Sequence, residues 1–253
     1  MPARADREKS SRNATEQRCN SALSTNLLMK PQHHLQRGLF IAFEGVDGSG
    51  KSTQASRCVA RLQQRGFEVV AVREPGGTTA SQAIRTLVLD PKQRIDPVAE
   101  LLLYMAARSQ LVTEVIAPAL ADGKIVVADR FGWSTVAYQG FGRGLDLSTI
   151  ETLMGIACGP VWPHLTLVLD VPPEIRKSRL EQQGRDLDRL EREGEGFFKR
   201  VREGFLALAA EAGKSTAVLD GCLSPDILTE SLIAVVEPYL TPELFRHTNS
   251  LVG

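Results

Sequence analysis

The chain has 253 residues, 43% hydrophobic and 24% charged, enough to bury one large α/β core without requiring a second domain. Lys plus Arg and Asp plus Glu both number 30, so no charge excess points to nucleic acid or to a membrane surface, and any basic site must be local. No apolar run approaches the roughly 20 residues that a membrane-spanning helix needs. The four cysteines, Cys19, Cys58, Cys158 and Cys222, form neither a CxxC pair nor a dense framework. Neither a structural disulfide nor a zinc site is expected, and the setting expected is reducing and cytoplasmic.

Residues 1–37 are polar, rich in Ser, Asn, Gln and Arg, and lack any period, so they read as a disordered N-terminal extension. Asp6, Glu8 and Glu16, with no apolar stretch, argue against a transit or signal peptide, and a start at Met29 is an open alternative. From Leu39 short apolar runs alternate with helical stretches, the pattern of βαβ units around a parallel sheet. The strands expected are Leu39–Glu44, Glu68–Arg73, Lys124–Asp129, Leu165–Asp170 and Thr216–Asp220, five in all, enough for a doubly wound sheet in one domain over residues 38–240. Helices are expected over Lys51–Arg65, Ala99–Ala121 with Pro118 interrupting near its end, Ser148–Ala157, Pro173–Gln183, Gly196–Ala212 and Pro225–Tyr239. The stretch of about 183–196 is nearly all charged or Gly between two helices and reads as a mobile surface segment. Residues 241–253 form a tail without pattern.

Gly45, Val46, Asp47, Gly48, Ser49, Gly50, Lys51 and Ser52 satisfy GxxxxGK[ST] and run from an apolar strand into an amphipathic helix, the context this P-loop motif needs. The glycines allow successive N–H groups to point at phosphate oxygens, and the helix N-terminus adds its positive dipole end. Lys51 can reach the β- and γ-phosphates of ATP, and the Ser52 hydroxyl can ligate Mg²⁺. Such a loop serves ATPases, GTPases and kinases alike. No guanine-reading Asn-Lys-x-Asp is present, and Ile125–Asp129 runs into Arg130 rather than Asp-Glu. A carboxylate followed by arginine at a strand end suits two phosphate groups, Asp129 toward metal or water and Arg130 toward the second phosphate. A small-molecule kinase is therefore favoured over a motor ATPase.

Four further stretches carry a family resemblance: Phe43–Thr53, Arg73–Thr78 (REPGGT), Leu101–Arg108, and Asp129–Gly140 (DRFGWSTVAYQG). With the charged segment Gly184–Glu191, containing Leu-Asp-Arg, they make the chain resemble thymidylate kinase from about Leu39 to Tyr239. The resemblance implies a P-loop NTPase fold and transfer of a phosphoryl group from ATP to dTMP, giving dTDP for dTTP synthesis, with Mg²⁺. It implies that Asp47 accepts from the sugar 3′-hydroxyl and that Gly45 to Thr53 cradle ATP. By the same resemblance Arg73 and Arg130 bind the acceptor phosphate, Tyr104 stacks on thymine where the family usually has Phe, and Arg108 contacts the pyrimidine. Ser134 and Thr135 lie by the base, Tyr138 covers the deoxyribose, and Gln139 serves the site or only the scaffold. Since positions 46 to 49 hold no Lys or Arg, the sequence looks like the lid-arginine type found in many bacteria, with Arg185 and Arg189 as candidates to join Lys51 and Arg130 in catalysis. The resemblance also implies a homodimer. A kinase acting on dUMP or a deoxynucleoside, and a catalytically silent ATP-binding protein, are the rival readings.

Overall fold

Residues 37–241 are described by the structure, a computed structural model; the expectations for the N-terminal extension, a start at Met29 included, and for the C-terminal tail lie outside the described residues apart from Arg37 and Thr241. Five parallel strands, β1 Leu39–Glu44, β2 Val69–Arg73, β3 Ile125–Asp129, β4 Leu165–Asp170 and β5 Thr216–Asp220, pair in the order β2-β3-β1-β4-β5. β2 and β3 each begin one residue later than the sequence suggests. The α-helices in chain order are α1 Lys51–Gln64, α2 Thr79–Leu89, α3 Pro97–Leu111, α4 Ala117–Ala121, α5 Gly132–Thr135, α6 Leu147–Cys158, α7 Pro173–Gln182, α8 Glu195–Ala212 and α9 Pro225–Val236.

β1 is the central strand and all six of its residues are buried, because its run LFIAFE has both faces covered. Alternation along the strands sends Phe40, Ala42, Val126 and Ala128 to one face, against Leu101, Met105, Ile150, Met154, Val201 and Phe205 of α3, α6 and α8. Leu39, Ile41, Phe43, Ile125 and Val127 face the other way, onto Cys58 and Leu62 of α1 and Leu228 and Leu232 of α9. Phe40 and Phe43 are wholly buried, and each contributes about 1.5–3 kcal/mol by leaving water. Cys58 and Cys158 are free and buried, which pushes both thiols up to about 12, so they act as packing groups; Cys222 is free and exposed, and Cys19 is outside the described residues.

The single long helix expected over Ala99–Ala121 is divided. α3 ends at Leu111, a wider π turn covers Val112–Ile116, where the Ala117 N–H bonds to Val112 O, and α4 carries Pro118 in its first turn. Proline has no N–H for the carbonyl one turn earlier and its ring crowds that carbonyl, so the helix widens just ahead of it. Two helical stretches lie outside the sequence expectation. α2 carries Ala80, Ala83, Ile84, Leu87 and Val88 at helical spacing; its wholly buried Ser81 donates its hydroxyl to Ala107 O of α3, at 2.7 Å, and its start is set by Thr78, whose Oγ1 accepts from the Ser81 N–H at 3.1 Å. The other stretch is α5 with the π turn Val136–Gly142, almost entirely buried and so without a polar face to mark a period.

β1, β2 and β3 end together at one edge of the sheet. They deliver the P-loop, the Arg73–Thr78 loop and the Asp129–Arg130 pair to one crevice, where open parallel sheets collect ligands.

Candidate active site

Gly45 opens the loop with φ 137°, and a Cβ there would stand 2.5 Å from Leu169 O, so only glycine fits. The turn is closed by Ser49 N–H to Val46 O and by Lys51 Nζ to the same oxygen, each at 3.2 Å. α1 begins at Lys51 with no side-chain cap and no acidic residue in its first turn, which leaves its N–H groups available to an anion. Burial and Arg130 push the Lys51 amine down, while Asp47, 3.6 Å away, and Asp129 hold it up.

The loop stands between two clefts. One, of about 1040 Å³, is lined by Gly48, Ser49, Gly50, Lys51, Ser52 and Thr53 together with Arg179, Gln182 and Gln183 on one side and Gly221, Leu223 and Pro225 on the other. Arg179 laces its walls together, donating to Gly48 O at 3.2 Å and to Gly221 O at 2.8 Å. The second cleft, of about 540 Å³, brings together Asp47, Tyr104, Arg108, Arg130, Ser134, Thr135 and Tyr138, all of them sequence candidates. Glu74, Pro75, Arg85, Gln139 and Asp188 complete much of its wall.

Arg130 has φ 75°, the one non-glycine residue in the left-handed region among the described residues, and its backbone N–H bonds to Phe43 O. Strain of this kind persists where surroundings over-determine it. Arg130 donates to Asp47 Oδ1 at 2.6 Å, to Tyr138 Oη at 3.0 Å, to Ser134 Oγ at 2.8 Å and to Gly45 O at 3.2 Å. Tyr138 in turn donates to Asp47 Oδ2 at 2.7 Å, so Asp47 joins the phosphate loop to the far wall of the second cleft. Burial raises the Asp47 pKa, but Arg130, Lys51 and the Tyr138 hydroxyl outweigh it and hold the carboxyl well below its usual range. Beneath them, Glu44 accepts from the Phe131 N–H, the Ser134 N–H and the Ser134 hydroxyl, yet burial pushes it up to about 7.

Arg108 is fully engaged. Its Nε and Nη2 grip the Glu74 carboxylate at 2.9 and 2.6 Å, Nη1 donates to Thr135 Oγ1 at 2.8 Å, and Nη2 also donates to Phe131 O. Burial penalises its charge, and Glu74 more than offsets that, so it stays charged. Tyr104, one turn earlier on α3, shares that face and lines the cleft. Arg73 ends β2 opposite Asp129, but it is exposed and does not line the cleft; Arg85 of α2 does, donating to Pro75 O at 2.9 Å. Asp129 is buried, and its Oδ1 has no partner among the described residues; the same is true of Ser49 Oγ, while Ser52 is exposed at the start of α1.

In the segment 183–196, Arg185 pairs with Glu191. Arg189 donates to Val88 O at 2.8 Å and to Glu100 Oε2 at 2.5 Å. Neither arginine lines either cleft. Sequence reasoning passed over Glu44, Glu74, Arg85 and Arg179. The first two sit inside quoted motifs, where an acid at the mouth of a glycine loop was the available signal; Arg85 and Arg179 lie on helices whose spacing carries none.

The thymidylate kinase family model matches residues 43–232. A thymidylate kinase of Kosmotoga olearia is 46% identical over 195 residues, spanning 77% of this chain and 93% of the relative. One from a Synechococcus strain is 48% identical over 204 residues, spanning 80% and 96%. The crystal structure of thymidylate kinase from Ehrlichia chaffeensis superposes with a TM-score of 0.65 at 33% identity, covering 79% of this chain and 98% of that one. Both clefts lie inside the matched span, and on that match the chain belongs to the thymidylate kinase family.

Proposed function

We propose that the chain transfers the γ-phosphoryl group of ATP to dTMP, giving ADP and dTDP, as a step in dTTP synthesis. One observation carries this reading: the P-loop is the shared wall of two clefts, one lined by its phosphate-binding backbone and one by Asp47, Arg130, Arg108, Tyr104 and Tyr138. ATP would lie along Gly45 to Thr53 with Lys51 against its β- and γ-phosphates, and dTMP would fill the second cleft. There Tyr104 and Arg108 meet the base with Ser134 and Thr135, Asp47 accepts from the 3′-hydroxyl, and Tyr138 closes over the deoxyribose. Arg130 meets the acceptor phosphate; Arg73, exposed at the end of β2 and outside the cleft lining, would have to swing inward to join it. Gln139 belongs to the scaffold as much as to the pocket, since it donates to Glu100 at 2.7 Å.

Phosphoryl transfer asks a protein mainly for alignment and charge stabilisation. Lys51 and Arg130 supply positive charge, joined by one lid arginine, Arg185 or Arg189, which must first leave Glu191 or Glu100 as residues 183–196 close and exclude water. The residues present fit Mg²⁺: Asp129 Oδ1 is buried without a partner among the described residues and Ser52 is exposed at the helix start, so these two would hold it with phosphate oxygens. When bound it neutralises charge on the phosphates.

A cytoplasmic setting is the reading that the free thiols of Cys58, Cys158 and Cys222 support. No helix among the described residues is long and apolar enough to cross a membrane. The chain works as a homodimer, which the exposed Val98 and Leu102 of α3 support, flanked by Leu87 on α2 and Ile156 on α6. ADP release measured side by side with dTMP, dUMP, dCMP and thymidine tests the reading. dTMP should give the fastest release; preference for dUMP or thymidine, or ATP binding without acceptor-dependent ADP, would sink it.

A further inference from the structure

The first turn of α7 brings another arginine against the phosphate loop. A Cβ at Gly48 would stand 3.2 Å from Arg176 O and 3.6 Å from Arg176 Cγ, so the Arg176 stem takes the space beside the side-chain-free Gly48. Its guanidinium carbon lies 3.2 Å from the centroid of the Phe198 ring, and Phe198 meets the Tyr138 ring edge-on at 6.4 Å. Arg176 is 9% exposed, yet its Nε and Nη2 have no hydrogen-bond partner among the described residues. The ionisable groups around it are Asp47 of the P-loop, Tyr138, and Asp188 and Glu191 of the lid.

A buried guanidinium is costly unless paired. Its less exposed neighbours obey that rule: Arg108 holds Glu74, Arg130 holds Asp47 and Arg189 holds Glu100. Arg176 has only the face of Phe198, a partial substitute. Two guanidinium nitrogens beside the loop, without a partner among the described residues, are the complement of an anion, and the anion this loop is built for is a phosphate. Burial also pushes the Arg176 pKa down, as expected of a charge still short of a partner.

We propose that Arg176 is a catalytic residue, donating to the phosphoryl group in transit beside Gly48. The inference rests on the phosphotransfer reading above. In the step, the bond from the γ phosphorus to the β–γ bridging oxygen breaks and its electron pair leaves on ADP. An oxygen of the acceptor phosphate forms the new bond to phosphorus. Arg176 forms no covalent bond and gives up no proton; it stabilises charge shared among the equatorial oxygens.

The test compares wild type with Arg176→Met, which keeps an unbranched stem over Phe198 without charge, and with Arg176→Ala supplemented with millimolar guanidinium ion. Expected are a fall in kcat of about 10²- to 10³-fold in the Met variant, with both KM values and the melting temperature nearly unchanged. Guanidinium should restore about tenfold or more of kcat to the Ala variant, which a packing role would not produce. If the Met variant does not fold, rescue of the Ala variant decides alone, and absence of rescue overturns the proposal. A kcat within about threefold of wild type in the Met variant, or a loss confined to KM, also overturns it. No dTMP-dependent turnover by wild type itself overturns both readings, whereas equal turnover by wild type and the Met variant overturns only this one.

Discussion

Glu44 and Asp47 stand three residues apart at the mouth of the same loop and respond to burial with opposite outcomes. Asp47 meets two cations and a hydroxyl, so its charge is favoured. Glu44 meets mainly neutral donors, so desolvation dominates and its carboxyl rises from 4.5 to about 7. Between those two values the folded chain holds a proton at Glu44 that the unfolded chain has released. The stability it contributes is complete below about pH 4.5 and is lost as pH rises through about 7, a change on the order of 3 kcal/mol. Asp47 contributes in the opposite sense, but at lower pH. Glu44→Gln, whose amide can still accept from the Phe131 and Ser134 N–H groups, should therefore flatten the fall in melting temperature between about pH 5 and pH 8. Parallel wild-type and variant curves across that range would show that Glu44 does not titrate there.

The charged segment at 183–196 carries its own anchor. Glu100, in the first turn of α3 and wholly buried, accepts from Arg189 of that segment, from Gln139 in the π turn and from Arg143 just after it. Arg143 also pairs with Glu193, so the later half of the lid is tied twice to the scaffold carrying Tyr104. A low-dielectric network satisfied on every side is rigid, and removing its shared acceptor charge leaves half-buried Arg189 without a carboxylate and Arg143 with Glu193 alone. Glu100→Gln should cost about 3 kcal/mol in urea unfolding and raise amide hydrogen exchange across residues 187–193. Unchanged exchange there would mean that the segment is held by other means.

At the scale of the whole molecule, helices cover both faces of the sheet, but α2, α3 and α6 leave Leu87, Val98, Leu102 and Ile156 exposed on their outward side. Val98 and Leu102, with Ala106 one turn on, recur every four residues on α3 and are exposed. A two-fold pairing of identical patches would cover that stripe in both copies at once. Leu102→Glu should then give a monomer in sedimentation velocity, with its melting profile broadly retained. A wild-type chain that sediments as a monomer at working concentration would exclude the homodimer.

Much of the fold was legible because its signals are local. The strand runs, the glycine-Lys-Ser spacing and the REPGGT and DR stretches each lie within a dozen residues, so the phosphate cradle and seven lining residues of the second cleft could be named before folding. What the sequence by itself determined was the five strands along the chain, the cradle and the family. Tertiary structure alone decided which arginines are already spent and which remain free. Arg189 meets Glu100 across 89 residues and Val88 across 101, and no periodicity carries such a pairing. Arg176 looks in the sequence like any solvated helix residue; only the approach of α7 to Gly48 and Phe198 buries its guanidinium without a carboxylate. Local spacing sets backbone conformation, whereas the partner of a long charged side chain is chosen by what packing brings within its reach.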